Sequence, residues 1–449
     1  MRRLLLSGVL ILLTVACGTA APTAIPTPQP AAPTATAASA HAGDRLFISD
    51  DNNAQTGRLS VIDPASGARL RELPLGVATP DWSTLYVTEW GLDQTTVRAL
   101  DPLTGASLRQ TTVTGRYTLP EVGLGAARVG LSPDGRWLAL SGNVAYEADA
   151  RNGSHERSRL VVLDTAFTQQ PKPIELDGNF TFDALSNDGA SLYLIETLPR
   201  DGTATPGLGY KVRLYDLSAD MLQPGVVVDK TAIAQTMSGT RQSAIASPDG
   251  QWVYSLYLNQ AKGPFIHMLN LNGRYAVCVF LPTTAKEDWE KQLLWSLAQS
   301  RDGQRLYAVN GALGMVADVD VNQLSVRRIG TFPIAAANQP GIVARVGNWL
   351  MPSASAKRIL TGGAALTPDG TTLFVIAEQG LFVVNTGDLA PRGRYLSDFP
   401  LDSVTLSPDG ARLYAASAEQ GKIFWLDAAT GTTMKEIAGM HNPWSISAR

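Results

Sequence analysis

The sequence predicts an all-β fold, a β-propeller of eight four-stranded blades closed into a ring by strands from both termini. Three observations predict it. A Ser-Pro-Asp-Gly-type turn returns at intervals of about 40–50 residues, the mark of one supersecondary unit copied many times. A short run of the Leu-Tyr-Val type follows each turn. Finally, residues 43–75 and 443–447 each hold a fragment of a unit, and the two fragments add up to one.

The turn sets the register. Its six copies are Ser132-Pro133-Asp134-Gly135, Ser186-Asn187-Asp188-Gly189, Ser247-Pro248-Asp249-Gly250, Ser300-Arg301-Asp302-Gly303, Thr367-Pro368-Asp369-Gly370 and Ser407-Pro408-Asp409-Gly410. Thr79-Pro80-Asp81-Trp82 is a seventh, degenerate copy. Pro presets its dihedral, Asp bonds the local backbone and Gly accepts a left-handed conformation, so these residues serve turn geometry rather than a metal. The flanking runs are apolar and β-branched and read as antiparallel strands. In the cleanest copy Ser403–Leu406 is a first strand, 412–416 a second, Lys422–Asp427 a third and 434–437 a fourth. Second strands fall at 45–48, 84–87, 136–139, 191–194, 251–254, 305–308, 372–375 and 412–415, which makes eight. Seven blades is the alternative count, because the first strand ahead of Thr79 shrinks to Gly76-Val77-Ala78. Residues 43–75 supply three strands and no first one, whereas 443–447 is a first strand with nothing after it. Pairing them completes a blade and removes the edges an open array would expose.

Composition excludes some classes. Of 449 residues 17% are charged and the net charge is -3, so no basic stripe or tail points to nucleic acid. Ahead of the propeller (43–449) the chain divides in two. Residues 1–16 read as a signal segment, with Arg2-Arg3 followed by an apolar run from Leu4 to Leu13 that is too short to span a bilayer. Residues 17–42 form a Pro/Thr/Ala-rich stretch, in which 19–42 are almost entirely Ala, Thr, Pro and Gln and include Pro26-Thr27-Pro28-Gln29-Pro30. Such a stretch has no apolar face to bury and stays extended, at about 3.1 Å per residue.

The sequence Thr14-Val15-Ala16-Cys17-Gly18 resembles the lipobox of bacterial lipoproteins, with Thr14 where that family usually has Leu. The resemblance implies that Cys17 becomes the first mature residue and carries the lipid, and that 17–42 is a tether. It places the propeller outside the cytoplasmic membrane, touching the membrane through the anchor only. With Cys17 lipidated, Cys278 has no disulfide partner and is expected as buried apolar filler in a strand.

The repeat units resemble YVTN-type β-propeller repeats, a group that includes bacterial surface and secreted propellers and the large subunits of quinoprotein amine dehydrogenases. Ser-Pro-Asp-Gly, Leu-Tyr-Val or Leu-Tyr-Ala, Val-Ile-Asp or Trp-Leu-Asp, and Thr-Gly carry the resemblance over nearly all of the chain from residue 43. It implies the fold and leaves the chemistry open, because the fold hosts many activities.

Loop lengths choose a face. The first-to-second and third-to-fourth turns share one face and are short throughout. Second-to-third loops and interblade connections share the other, and hold the long excursions at 142–157, 197–209, 115–125, 230–241, 282–293 and 331–361. Long loops on a rigid scaffold are where binding concentrates. Tyr146, Glu147, Asp149, Arg151, His155, Glu156 and Arg157 form either a polar contact patch or a solvated loop. Residues 285–295 read as a short amphipathic helix whose Trp289 and Trp295 pack. The 331–361 segment, with Asn338-Gln339-Pro340-Gly341, Arg345 and Trp349, is a lid or a structural plug. His41, His155, His267 and His441 lack metal-ligand spacing, and no nucleophile elbow, P-loop or dinucleotide fingerprint is present. No catalytic or metal residue is therefore assigned, and the cofactor is unknown. The expected function is a lipid-anchored extracytoplasmic binding or interaction module that presents its long-loop face to a protein, peptide or glycan. The alternative is an enzyme or enzyme subunit with its site at the axial opening, by family analogy a lactonase-like hydrolase or an amine dehydrogenase-like oxidoreductase.

Overall fold

A single turn design, repeated, sets the geometry of the ring. The computed structural model describes residues 43–50, 57–123, 127–142, 157–198, 209–228, 236–259, 262–283, 291–334 and 363–449. At Ser407–Gly410 the Ser407 hydroxyl donates to the Asp409 carboxylate at 2.5 Å and accepts from the Arg412 amide at 3.0 Å. The same carboxylate accepts from the Ala411 amide at 3.0 Å, and Gly410, at φ +76°, donates to the Ser407 carbonyl at 2.8 Å. This set of bonds recurs at Ser132, Ser186, Ser247, Ser300 and Thr367. The Ser407 hydroxyl, then the Ala411 amide and Arg412, hold the Asp409 carboxyl down to about 2. The degenerate copy folds alike. Thr79 donates to Asp81 at 2.7 Å, and Trp82 takes the left-handed position at φ +57° with its ring stacked 4.1 Å from Phe47. A bulky residue there is strained by about 1–2 kcal/mol, and the stack offsets it.

Each turn joins the first two strands of one blade. Eight antiparallel sheets result: blade 1 (46–74 with 443–448), blade 2 (77–114), blade 3 (117–177), blade 4 (179–222 with 237–238), blade 5 (240–280), blade 6 (296–331), blade 7 (364–395) and blade 8 (403–438). Eight is therefore the count, with the abbreviated Val77–Ala78 pairing onto Leu85–Trp90 as a true inner strand.

Among the described residues the buried apolar side chains form eight clusters, one at each junction between neighbouring blades. The repeat tyrosines explain why. Tyr86, Tyr193, Tyr254, Tyr307 and Tyr414 of the second strands are fully buried, and several reach forward into the next blade. The Tyr193 hydroxyl donates to the Leu271 carbonyl at 2.7 Å, and the Tyr414 hydroxyl to the Asp44 carboxylate at 2.6 Å.

Ring closure rests on blade 1. Leu46–Asp50 pairs with Arg58–Asp63 on one side and Pro443–Ala448 on the other. Arg45 and Arg449 exchange backbone bonds of 2.7 and 3.0 Å, and the Asp50 carboxylate accepts the His441 and Asn442 amides at 3.1 and 2.5 Å.

Three expectations need correction. Residues 115–125 are not only an interblade connection: Tyr117–Thr118 begins the inner strand of blade 3, and a hairpin of Glu121–Val122 and Ala127–Arg128 interrupts that strand before Leu131 pairs with Leu138. Within 230–241, Met237–Ser238 pairs with Gly209–Asp216 and so extends the outer edge of blade 4. Of the helix expected at 285–295, residues 291–294 form a single 3₁₀ turn and 284–290 lie outside the described residues.

Removing 443–449 should abolish cooperative unfolding, because it strips the inner strand of blade 1 and opens the ring. Tyr414→Phe should lower stability by about 2 kcal/mol, the worth of a buried hydrogen bond to a charged group. Met434→Ser, on an exposed outer strand, should change it by less than about 0.5 kcal/mol. Urea unfolding of the three variants checks the order.

Candidate functional site

The groove with the most chemistry among the described residues opens on the face of the second-to-third loops and interblade connections. It encloses about 470 Å³ where blades 1, 2 and 3 meet. That volume lies in the range of small-ligand sites, about 300–1,000 Å³. Blade 1 contributes Arg58, which opens its third strand opposite Pro74, and Glu72 near the end of its fourth. Blade 2 contributes Thr88, Glu89 and Trp90, the last residues of its second strand. Blade 3 contributes Thr118, Leu119 and Arg128 from the split inner strand and its hairpin.

Ion pairs and a hydrogen bond accompany several of these side chains. Glu72 lies 3.8 Å from Arg58 and 3.6 Å from Arg69, and Glu89 lies 2.7 Å from Arg98. The Trp90 indole nitrogen donates to the Tyr117 carbonyl at 2.6 Å, holding the ring at the rim with 38% of its surface exposed. Arg128 is almost fully buried and pairs with Glu121 within the hairpin; burial pulls its guanidinium pKa down. The site therefore offers carboxylates, guanidiniums and an indole in near charge balance, a combination suited to recognition.

The hairpin also bears on the axial opening. Its turn residue Gly123, at φ +72°, lies against the Gln242 carbonyl on the inner strand of blade 5, so close that a Cβ would collide. Blades 3 and 5 are not neighbours, so the hairpin crosses the axial side of blade 4 and occupies part of the central opening.

A second polar cluster is sealed inside the junction of blades 4 and 5. Asp183 sits at a β-bulge of its inner strand, and the inner strand of blade 5 carries a matching irregularity between Arg241 and Ser243. A bulge re-aims side chains. Here Arg241 Nη1 reaches Asp183 Oδ1 at 3.1 Å, and Nη2 donates to the Asp183 carbonyl at 3.2 Å. Tyr257, paired with Arg241, stacks 5.3 Å from Tyr210 of blade 4 and lies edge-on to His267 at 6.0 Å. His267 stands between Ser255 and Cys278 on adjacent strands, with Nδ1 3.8 Å from the Cys278 sulfur. Burial lowers the His267 pKa to about 4, against the smaller pull of Asp183 and with the smaller push of Arg241. Burial likewise raises both tyrosine phenols.

Other candidates from the sequence have plainer places. Cys17 and the whole of 1–42 lie outside the described residues, as do Tyr146, Glu147, Asp149, Arg151, His155, Glu156, Trp289, Asn338, Arg345 and Trp349. Arg157 pairs with Glu175 at 3.3 Å and Asp177 at 3.4 Å along its own blade. Trp295 packs, being buried and donating to Gln292 at 2.9 Å. Cys278 is in a strand as expected but is half-buried rather than sealed. Among the described residues no group of three or more His, Cys, Asp or Glu side chains is placed to hold a metal ion. Trp90 and Glu89 could have been found in the sequence as a charged and aromatic pair closing a Leu-Tyr-Val run.

No protein-family model matches the chain, and no curated protein matches it either. Solved structures do. The apo structure of AztD from Citrobacter koseri aligns at 14% identity over 90% of this chain and 98% of that one, with a TM-score of 0.52. A second crystal structure of Citrobacter koseri AztD aligns at 13% identity over 90% and 97%, with a TM-score of 0.53. At such identity the likeness shows the propeller fold alone.

The sealed histidine makes stability depend on acid. Its folded-state value of about 4 lies below the value of about 6.5 in an unfolded chain, so the unfolded state takes up the proton first as pH falls. The histidine contribution should be intact above about pH 6.5, decline towards pH 4 and level off below, a loss of about 3 kcal/mol in all. Urea unfolding across that window measures it, and His267→Leu should flatten that part of the profile.

Proposed function

We propose that this chain is an extracytoplasmic, lipid-anchored β-propeller that works as a binding module, seating a peptide or glycan segment of its partner in the groove over blades 1–3. The observation that carries this reading is the groove itself, on the long-loop face, with an exposed Trp90 and the ion-paired side chains of Arg58, Glu72 and Glu89. An aromatic anchor beside fixed polar groups is the usual composition of a binding hot spot. The resemblance of the repeats to bacterial surface and secreted propellers agrees with it. Location rests on the lipobox-like Cys17 and the Pro/Thr-rich tether of 17–42, which would hold the propeller away from a membrane surface. An axial enzyme site would need room where the blade 3 hairpin stands, so the groove is the better-supported place of action.

Two experiments test the halves of this reading separately. Cys17→Ser, expressed in a host with lipoprotein processing, should move the protein from the membrane fraction to the soluble one. Retention of that variant in the membrane would exclude the anchor. Trp90→Ala and Glu89→Gln should each weaken partner binding by at least about tenfold, or 1.4 kcal/mol, measured at a temperature where both variants remain fully folded. Undiminished binding by both variants would exclude the groove.

A further inference from the structure

We infer that the junction of blades 4 and 5 is a built internal hydration site, in which ordered water joins Asp183, Arg241, Tyr210, Tyr257, His267 and Ser255 into one network. The site is independent of the groove. Besides Asp183 Oδ1, which meets Arg241 in the ion pair, six buried atoms there lack a well-formed hydrogen bond to protein: Asp183 Oδ2, Arg241 Nε, the Tyr210 and Tyr257 hydroxyls, which interact only with one another, His267 Nε2 and Ser255 Oγ. All but Arg241 belong to residues at most 3% exposed. Interiors do not tolerate such groups bare, and the interior partner most often found for them is water.

The chemistry of the six atoms selects the guest. Asp183 only accepts, Arg241 only donates, and the hydroxyls do both, so a molecule must give and take hydrogen bonds at once. Asp183 and Arg241 already neutralise each other at 3.1 Å, which leaves any further ion uncompensated in a low dielectric. The stacked rings of Tyr210 and Tyr257, 5.3 Å apart, and the edge contact to His267 surround the guest with aromatic walls. At about three bonds per buried water, six atoms call for about two molecules. The backbone is shaped for the purpose, since irregularities on both inner strands turn Asp183 and Arg241 into the junction rather than along their own blades. With the Cys278 thiol against Nδ1, Nε2 is the nitrogen of His267 left to the network.

A high-resolution crystal structure of the full chain, combined with water-oxygen magnetic relaxation dispersion in solution, tests this. Discrete density at about 2.7–3.2 Å from at least three of the six atoms is the expected result. Tyr257→Phe and His267→Leu should each remove about one long-lived water from the relaxation amplitude. Direct bonds that satisfy all six atoms with nothing between them would overturn the proposal, and so would density for an ion or an organic molecule. If the variants do not fold, the crystal structure and relaxation amplitude of the unaltered protein still decide, because a dry junction shows in both.

Discussion

Each blade buries its two faces against its neighbours, and every apolar cluster among the described residues sits at such a junction. A lone four-stranded sheet has no core of its own, so its stability comes from the blades on either side. The second-strand tyrosines make this mutual dependence directional. Tyr193 and Tyr414 pack within one junction and bond to the strand ends or the flanking carboxylate of the blade ahead. The Ser-Pro-Asp-Gly turns then fix where each inner strand ends, through bonds local to five or six residues and independent of the ring.

That arrangement leaves the loop face free to vary. Three blades contribute to the groove, and its side chains are contacted differently: Glu89 by Arg98 on the adjacent strand of its own blade, and Trp90 by the Tyr117 carbonyl at the edge of the junction with the next blade. The junction of blades 4 and 5 departs from the general rule, because a charge pair, two phenols and an imidazole share the space with aliphatic side chains. A buried pair of this kind contributes little net stability by itself, since desolvation offsets the attraction. Its presence there marks a place where composition follows something other than packing.

The architecture was legible in the sequence because it rests on local chemistry. A turn that needs Ser, Asp and Gly at fixed offsets, and strands with a period of two, announce themselves residue by residue. Even the weak copy at Thr79 was readable, and the structure adds only that Phe47 supports Trp82. The split inner strand of blade 3 was not legible, since Glu121–Val122 and Ala127–Arg128 carry no turn signature of the repeat type and draw their support from Gln242. The Asp183–Arg241 pair was hidden for a related reason: a bulge shifts a side chain to the other face, and alternation alone then gives the wrong side. The groove was legible as a face and not as a set of residues, because Glu72, Glu89 and Arg128 converge from three blades.

The pairing of Leu46–Asp50 with Pro443–Ala448 also sets a timetable. A chain made from its N-terminus carries blade 1 as a three-stranded sheet, its inner edge unpaired, until Pro443–Ala448 has emerged. Seven blades can form in order behind it, each leaning on the one before, but the stack remains an open arc. Contacts this distant in sequence are the slowest to form, because the whole intervening chain must first be ordered or looped. The interval between synthesis and closure is thus when the molecule is most exposed to strand exchange with another copy. The Asp50 carboxylate, waiting for the His441 and Asn442 amides, works as the latch that ends it.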